Sequence, residues 1–228
     1  MEDAYLVKRE AAFKLLLLAE RERERADSET ALGRANYVLG MFRELQDYEG
    51  TFQSLFLIGK IQASLGLLDE SINTFHECLT MARGRWNEAD EARCLYQLSD
   101  IETDRGNYDD AKRNLIEARR IFEKLGDQSG IASTLGQLGI IEQNRGNYDA
   151  ALRLYNDSLQ IKRKLGDQSG IATTREALGR LAKKQGDLEA AEKYYEQALE
   201  IFEKLGIKEY VEVVRKDLER VRKLKQKS

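Results

Sequence analysis

One nine-residue segment recurs unchanged forty residues later, and this repeat constrains the fold more than any other feature of the chain. The segment Lys-Leu-Gly-Asp-Gln-Ser-Gly-Ile-Ala occupies Lys124–Ala132 and again Lys164–Ala172. A second segment, Arg-Gly-Asn-Tyr-Asp, occurs at Arg105–Asp109 and Arg145–Asp149 with the same spacing. Four glycines follow the same period: Gly66, Gly106, Gly146 and Gly186. These markers together predict an array of forty-residue units.

The spacing of apolar residues and the lack of proline indicate that the units are helical. The 228 residues include 17 glycines and no proline. Apolar side chains recur at three- and four-residue spacing within the units, as at Leu55 and Ile58 and again at Leu95 and Leu98. Because the strongest helix breaker is missing, glycine has to end the helices. The sequence therefore predicts an all-α fold of paired helices.

The period places five helix hairpins and one further helix along the chain, about eleven helices in a single domain of residues 1–228. The predicted units are residues 2–45, 48–83, 87–125, 128–165 and 168–205, followed by a capping helix at 207–225. Asp27 or Ser28, Asn107, Asn147, Asp187, Asp127 and Asp167 are the predicted N-caps. The last helix carries Val211, Val214 and Leu218 as an apolar stripe, which predicts that it covers the open end of the stack.

The pattern of the two most regular units resembles the tetratricopeptide repeat (TPR) family. It runs through Leu138, Gly139, Gly146, Ala151 and Tyr155, and it recurs between Leu178 and Leu205. The long period and the missing proline are similar to the extended repeats of kinesin light chain and of prokaryotic regulatory TPR proteins. The resemblance implies a right-handed α-solenoid whose concave groove, lined by the first helix of each pair, holds a partner segment.

The resemblance also implies which residues line that groove. In chain order they are Phe13, Leu16, Phe56, Tyr96, Asp100, Asp104, Gln143, Asn144, Arg180, Lys183 and Lys184, joined by Lys216 and Arg220 of the last helix. Glu20, Arg23, Lys60 and Arg93 fall on the same positions of their helices. The first four residues of the main set would expose apolar surface, and the last five, together with Lys223, would make the far end basic. The expected partner is therefore a protein or peptide segment with apolar anchors at one end and acidic residues at the other.

Catalytic and metal-binding patterns do not emerge from the sequence. It holds one histidine, His76, and its glycines stand singly at helix ends instead of forming a phosphate-binding loop. The sequence predicts no enzymatic activity, no cofactor and no metal site. The leading prediction is a non-catalytic interaction scaffold or adaptor. The alternative is the sensor or regulatory repeat segment of a larger signalling ATPase or transcription regulator.

Three further residues receive structural predictions. Cys78 occupies the small-residue position that Ala118, Ser158 and Ala198 fill in other units, which predicts a buried, unreactive thiol. His76 is expected on the solvated surface of its helix. Trp86 is expected to fill the seam between two repeats.

The charge balance and the N-terminal residues decide the expected partners. With 37 basic and 40 acidic side chains the net charge is −3, which argues against nucleic acid and anionic membranes as partners of the chain body. The apolar run Leu15–Leu18 is too short for a membrane span, and a cytoplasmic location is expected. Phe13 and Leu15–Leu18 form a cluster through which the N-terminal helices of two copies are predicted to pair.

Overall fold

The structure is a computed structural model that describes residues 2–226. Every regular element in this part of the chain is an α-helix. The helices are α1 Glu2–Glu24, α2 Ser28–Glu44, α3 Tyr48–Ser64, α4 Leu68–Gly84, α5 Glu88–Asp104, α6 Tyr108–Leu125, α7 Gln128–Asn144, α8 Tyr148–Leu165, α9 Gln168–Gln185, α10 Leu188–Leu205 and α11 Lys208–Lys225. The predicted class, an all-α solenoid of about eleven helices, is confirmed for residues 2–226.

The helices belong to two compact units, Met1–Ala118 and Arg119–Ser228. In unit 1, α3 packs against its hairpin partner α4 and also against the first helices α1 and α5. In unit 2, α9 packs against its hairpin partner α10 and against α7, and α11 lies on α10. Each unit thus brings its first helices side by side. We call the surface of α1, α3 and α5 the first-helix face of unit 1, and that of α7 and α9 the first-helix face of unit 2.

Within the hairpins, a small residue on the first helix faces a large ring on the second. Gly139 lies directly over Tyr155, and Gly179 lies over Tyr195. Both rings are fully buried. In unit 1, Gly59 lies over Phe75 in the same way. The missing Cβ atoms let the paired helices approach closely enough to bury these rings. This explains why glycine on the first helix and tyrosine on the second recur together forty residues apart.

Aspartates cap three helices as the sequence predicts. The side chains of Asp127, Asp167 and Asp187 accept hydrogen bonds from the N–H three residues later, at 2.9, 2.8 and 2.9 Å. The predicted cap at Asn147 is wrong, because its side-chain amide instead donates to a carboxylate oxygen of Glu142 at 2.7 Å. Asp27 at the start of α2 also makes no side-chain cap bond.

The predicted placement of Trp86 in a seam between repeats is wrong. Its side chain is 90% exposed, in the turn between α4 and α5. The backbone there is left-handed with φ of 56°, as at Gly66 and Gly106, where φ is 76° and 80°. This turn requires a positive φ, and that conformation directs the Trp86 side chain into solvent. The same geometry strains any residue that has a Cβ atom.

The substitution Trp86→Gly is therefore expected to stabilise unit 1, by about 1 kcal/mol in the free energy of unfolding. Glycine adopts the left-handed turn without Cβ strain, and no buried contact of the indole is lost. Urea unfolding followed by circular dichroism measures the effect. Gly66→Ala, at an equivalent turn, is the matched control and should lose a similar amount. A destabilised Trp86→Gly protein would contradict this view of the turn.

The predicted burial of Cys78 is confirmed. Cys78 is fully buried, as are Ala118, Ser158 and Ala198 at the equivalent positions of other hairpins. Its thiol lies beside that of Cys94, and both cysteines are free. The hydrogen bond with Cys94, together with burial, raises the pKa of Cys78 well above its usual range. A thiol held protonated in this way is a poor nucleophile. His76 is exposed, as predicted.

Candidate partner-binding faces

Phe56 is the centre of the first-helix face in unit 1. Its ring stacks on Phe52 with centroids 5.9 Å apart and meets Phe75 edge-on at 5.4 Å. The guanidinium of Arg93, on the next first helix, lies 4.5 Å from the centre of the Phe56 ring. Phe56 remains half-buried. The result is a partly open aromatic surface with a cation held over it, which suits apolar and acidic groups together.

The first-helix face of unit 1 carries two more cations, Lys60 one turn after Phe56 on α3 and Arg23 on α1. Desolvation lowers the pKa of Lys60, and the positive charges of Arg23 and Arg93 lower it further, while Glu20 opposes this effect. The Nε of Arg23 is buried and has no hydrogen-bond partner among residues 2–226. A carboxylate arriving here would pair with cations that the protein leaves partly unsatisfied.

The expectation that Leu16 is exposed is wrong. Leu16 is only 7% exposed, because it follows Ala12 on the side of α1 that packs into the core. Phe13 is half-buried, and its ring lies 4.7 Å from that of Phe42 on α2. Arg9 covers the Phe13 ring at 4.8 Å. Phe13 therefore serves the packing of its own hairpin and contributes only an edge to the surface.

The three predicted site residues on α5 differ in exposure. Tyr96 is half-buried, and burial raises the pKa of its hydroxyl above the usual range, with a smaller contribution from Asp100. Asp100 and Asp104 are exposed one turn apart. They add negative charge to the same helix that carries Arg93.

Cations dominate the surface of unit 2 at α9 and α11. Lys183, Arg220, Lys223 and Leu224 line a cavity of about 300 Å³. Arg180 and Lys184 lie within one helical turn of Lys183 on α9. Lys216 precedes Arg220 by one turn on α11. The sequence prediction that these residues and Lys223 form one basic region is compatible with this cavity.

Two carboxylates moderate this charge. Asp217 lies 3.2 Å from Arg220 and 3.9 Å from Lys183. Arg180 pairs with Glu176 at 3.3 Å. Desolvation raises the pKa of Glu176, and the charge of Arg180 partly offsets this. The three cations that line the cavity thus meet one carboxylate, that of Asp217, so the cavity keeps an excess of positive charge.

The two predicted site residues at the end of α7, Gln143 and Asn144, differ in exposure. The prediction that Gln143 lines an open groove is wrong: its side chain is 6% exposed, and its Oε1 accepts a hydrogen bond from the Tyr155 hydroxyl at 3.3 Å. The buried phenol needs this partner, which holds the amide inside the hairpin. Asn144, the next residue, is exposed.

Arg23, Lys60 and Arg93 were already at groove positions of the repeat pattern. What the pattern could not supply is their assembly on one face, because it depends on the packing of α1 and α5 against α3. Lys223 was predicted for the basic region with Lys216 and Arg220, which lie seven and three residues before it on the same helix.

None of the helices within residues 2–226 combines the length and apolar character needed to cross a membrane. Histidine, cysteine and acidic side chains in the same range form no group of three or more that could hold a metal ion.

Solved structures with the same fold include proteins of several kinds. BtubC from P. vanneervenii is 19% identical, with 90% of this chain and 89% of that protein covered and a TM-score of 0.70. The Rap conjugation gene regulator of plasmid pLS20, in complex with the Phr* peptide, is 16% identical at 90% and 57% coverage, with a TM-score of 0.79. At these identities the similarity concerns the fold. Comparison with curated protein sequences gave no match.

Family models extend the agreement from the fold to the repeat itself. Tetratricopeptide repeat models match residues 52–84, 90–164 and 130–204. These matches span more than half of the chain and contain the glycine turns and the small-to-large hairpin contacts described above. The resemblance noted in the sequence is thereby confirmed, and the chain belongs to the tetratricopeptide repeat family.

Proposed function

We propose that the chain is a non-catalytic scaffold or adaptor of the cytoplasm that binds a protein or peptide segment on its first helices. The observation that carries this proposal is the cationic cavity of unit 2, where Lys183, Arg220 and Lys223 surround Leu224. Excess positive charge beside an apolar side chain suits the carboxylates of an acidic segment that also carries an apolar residue.

The first-helix face of unit 1 supports a second contact of similar chemistry. There Arg93 covers the half-buried Phe56 ring, with Lys60 and Arg23 nearby. An apolar side chain could rest on the ring while an adjacent carboxylate meets the cations. This changes the partner expected from the sequence, because acidic residues now suit unit 1 as well as unit 2.

Peptide binding is compatible with this fold. The pLS20 Rap regulator, of similar fold, was solved with the Phr* peptide. This chain spans 57% of that protein's length, so the similarity supports a capacity of the helical stack to hold a peptide and does not identify the ligand.

The proposal predicts that acidic peptides bind unit 2 through its excess cations. The probes are fluorescently labelled peptides of equal length that contain one phenylalanine and an increasing number of glutamates. Affinity measured by fluorescence anisotropy should rise with glutamate number and fall with salt. Lys184→Glu together with Lys216→Glu should weaken binding about thirtyfold, since each reversal costs on the order of 1 kcal/mol. Both lysines are exposed, so their reversal leaves the ion pairs of Glu176 and Asp217 in place.

The matched control reverses the same number of charges on the second helices of unit 2. Arg153 on α8 and Lys193 on α10 are exposed, and their replacement by glutamate should change affinity less than twofold. Equal weakening by both pairs would show a general charge effect and would contradict a site at α9 and α11. Affinity that does not depend on glutamate number would also contradict a cationic site at α9 and α11.

A further inference from the structure

The outer side of α1 carries a row of large apolar residues that the fold does not bury. Leu6, Val7, Leu17 and Leu18 are each between 39% and 68% exposed. The core-facing side of the same helix is formed by Ala12, Leu16 and Ala19, which are buried against α2 and α3. Four large exposed side chains on one helix indicate a contact surface.

These residues share one side of α1 with an ion pair. Val7, Glu10, Lys14 and Leu17 follow one another at spacings of three, four and three residues, which places them in a straight line along the helix. Leu6 and Leu18 flank the two ends of this line. Glu10 and Lys14 are paired at 2.6 Å and are both highly exposed. We call these six residues the α1 seam.

The order of residues in the α1 seam is self-complementary in one orientation. When two copies of α1 lie antiparallel with their centres together, Glu10 of each copy meets Lys14 of the other. Val7 then meets Leu17, with Leu6 and Leu18 on opposite flanks beside these contacts, so apolar side chains close both ends. In a parallel arrangement, Glu10 would meet Glu10 and Lys14 would meet Lys14. Charge thus selects the antiparallel pair, which has the two-fold symmetry of an isologous dimer.

We propose that the α1 seam binds a second copy of this chain as an antiparallel helix pair. This differs from the pairing expected from the sequence, which used Phe13 and Leu15–Leu18. Phe13 packs on Phe42 and Leu16 is buried, whereas Leu6 and Val7 take their place on the outside. The proposal does not depend on the peptide-binding faces, because those are centred on Phe56 in unit 1 and on α9 and α11 in unit 2.

The first test follows self-association by sedimentation velocity over a range of concentrations. Unmodified protein should show a monomer–dimer equilibrium, and Val7→Glu should weaken it at least tenfold. Ile116→Glu, which replaces a similarly exposed apolar residue on α6, is the control and should leave the equilibrium unchanged. Protein that stays monomeric at several hundred micromolar, or equal loss in both variants, would overturn the proposal.

The second test addresses orientation. Glu10→Lys should weaken the dimer about tenfold, and the added change Lys14→Glu should restore it, because the exchanged charges are again complementary. Val7→Cys protein mixed with Leu17→Cys protein should form a disulfide between copies, whereas Val7→Cys alone should form little. The native cysteines Cys78 and Cys94 are buried and do not compete. Efficient disulfide formation by Val7→Cys alone would show a parallel pair and refute the antiparallel seam.

Discussion

Replacing Gly139 by alanine is expected to destabilise unit 2 by about 2 kcal/mol, although alanine is the better helix former. A Cβ atom at Gly139 would lie 2.6 Å from Cε1 and 2.7 Å from Cδ1 of Tyr155. The Tyr155 ring is fully buried, and its hydroxyl is bonded to Gln143, so it cannot move aside without disturbing the hairpin. Thermal and urea unfolding of the purified protein measure the loss.

The matched control lies one turn away on the same helix. A Cβ atom at Gly136 would meet nothing closer than the Ser158 hydroxyl at 3.7 Å. Gly136→Ala should therefore gain about 0.5–1 kcal/mol through helix propensity alone. If both alanine variants were stabilised, the close contact between α7 and α8 would not exist as described.

The chain itself suggests a rescue for Gly139. One period earlier, the equivalent positions hold Ser99 and Leu115, both fully buried. A larger residue on the first helix is thus accompanied by a smaller one on the second. Gly139→Ser combined with Tyr155→Leu should recover more stability than the sum of the single changes predicts. Additive losses would contradict direct coupling between the two positions.

The second large effect is expected at the last helix, where Val214→Asp should release α11 from unit 2. Val214 is fully buried with Leu218 and Val221 in a cluster that contains Tyr195 and Phe202. An unpaired carboxylate in this cluster costs about 3–5 kcal/mol. The helix avoids that cost by detaching, because α11 is held mainly by this one apolar stripe.

Hydrogen exchange measures the release directly. Amides of α11 should lose protection while those of α7 and α8 keep most of theirs. Binding of glutamate-rich peptides should also weaken, since Arg220 and Lys223 leave the cavity and Lys216 leaves the surface next to it. Val213→Asp, at the neighbouring and 51% exposed position, is the control and should retain both protection and binding. Equal exchange in the two variants would show that Val214 does not anchor the helix.

Much of the fold could be predicted from the sequence, because each helix hairpin is formed by residues that are close together in the chain. The apolar spacing, the absence of proline and the period of forty residues predicted paired helices, and the structure confirms them. The cap at Asp187 followed from the short side-chain acceptor beside a turn glycine. Asn147 did not follow this rule, because its amide can also donate and a carboxylate of Glu142 lies within reach.

The candidate binding faces were harder to predict from the sequence, since they depend on how neighbouring helices pack. Leu16 and Gln143 occupy positions that the repeat pattern assigns to the groove, yet the core and the Tyr155 hydroxyl bury them. Trp86 was expected inside because tryptophan is large and apolar, but the backbone of its turn directs it outward. Residue type alone reveals neither the burial of a side chain by its neighbours nor the direction in which a turn places it.

The sequence by itself determined that this chain forms helix hairpins and which residues share a side of each helix, because a period near 3.6 residues fixes that relation within a single element. Only the tertiary structure decided which sides stay open. A first helix contacts its hairpin partner, a neighbouring hairpin and the next first helix at once, so the exposed remainder depends on all three. That is why the cations around Phe56, the cavity at Arg220 and the outward row on α1 emerge only when the packed helices are seen together.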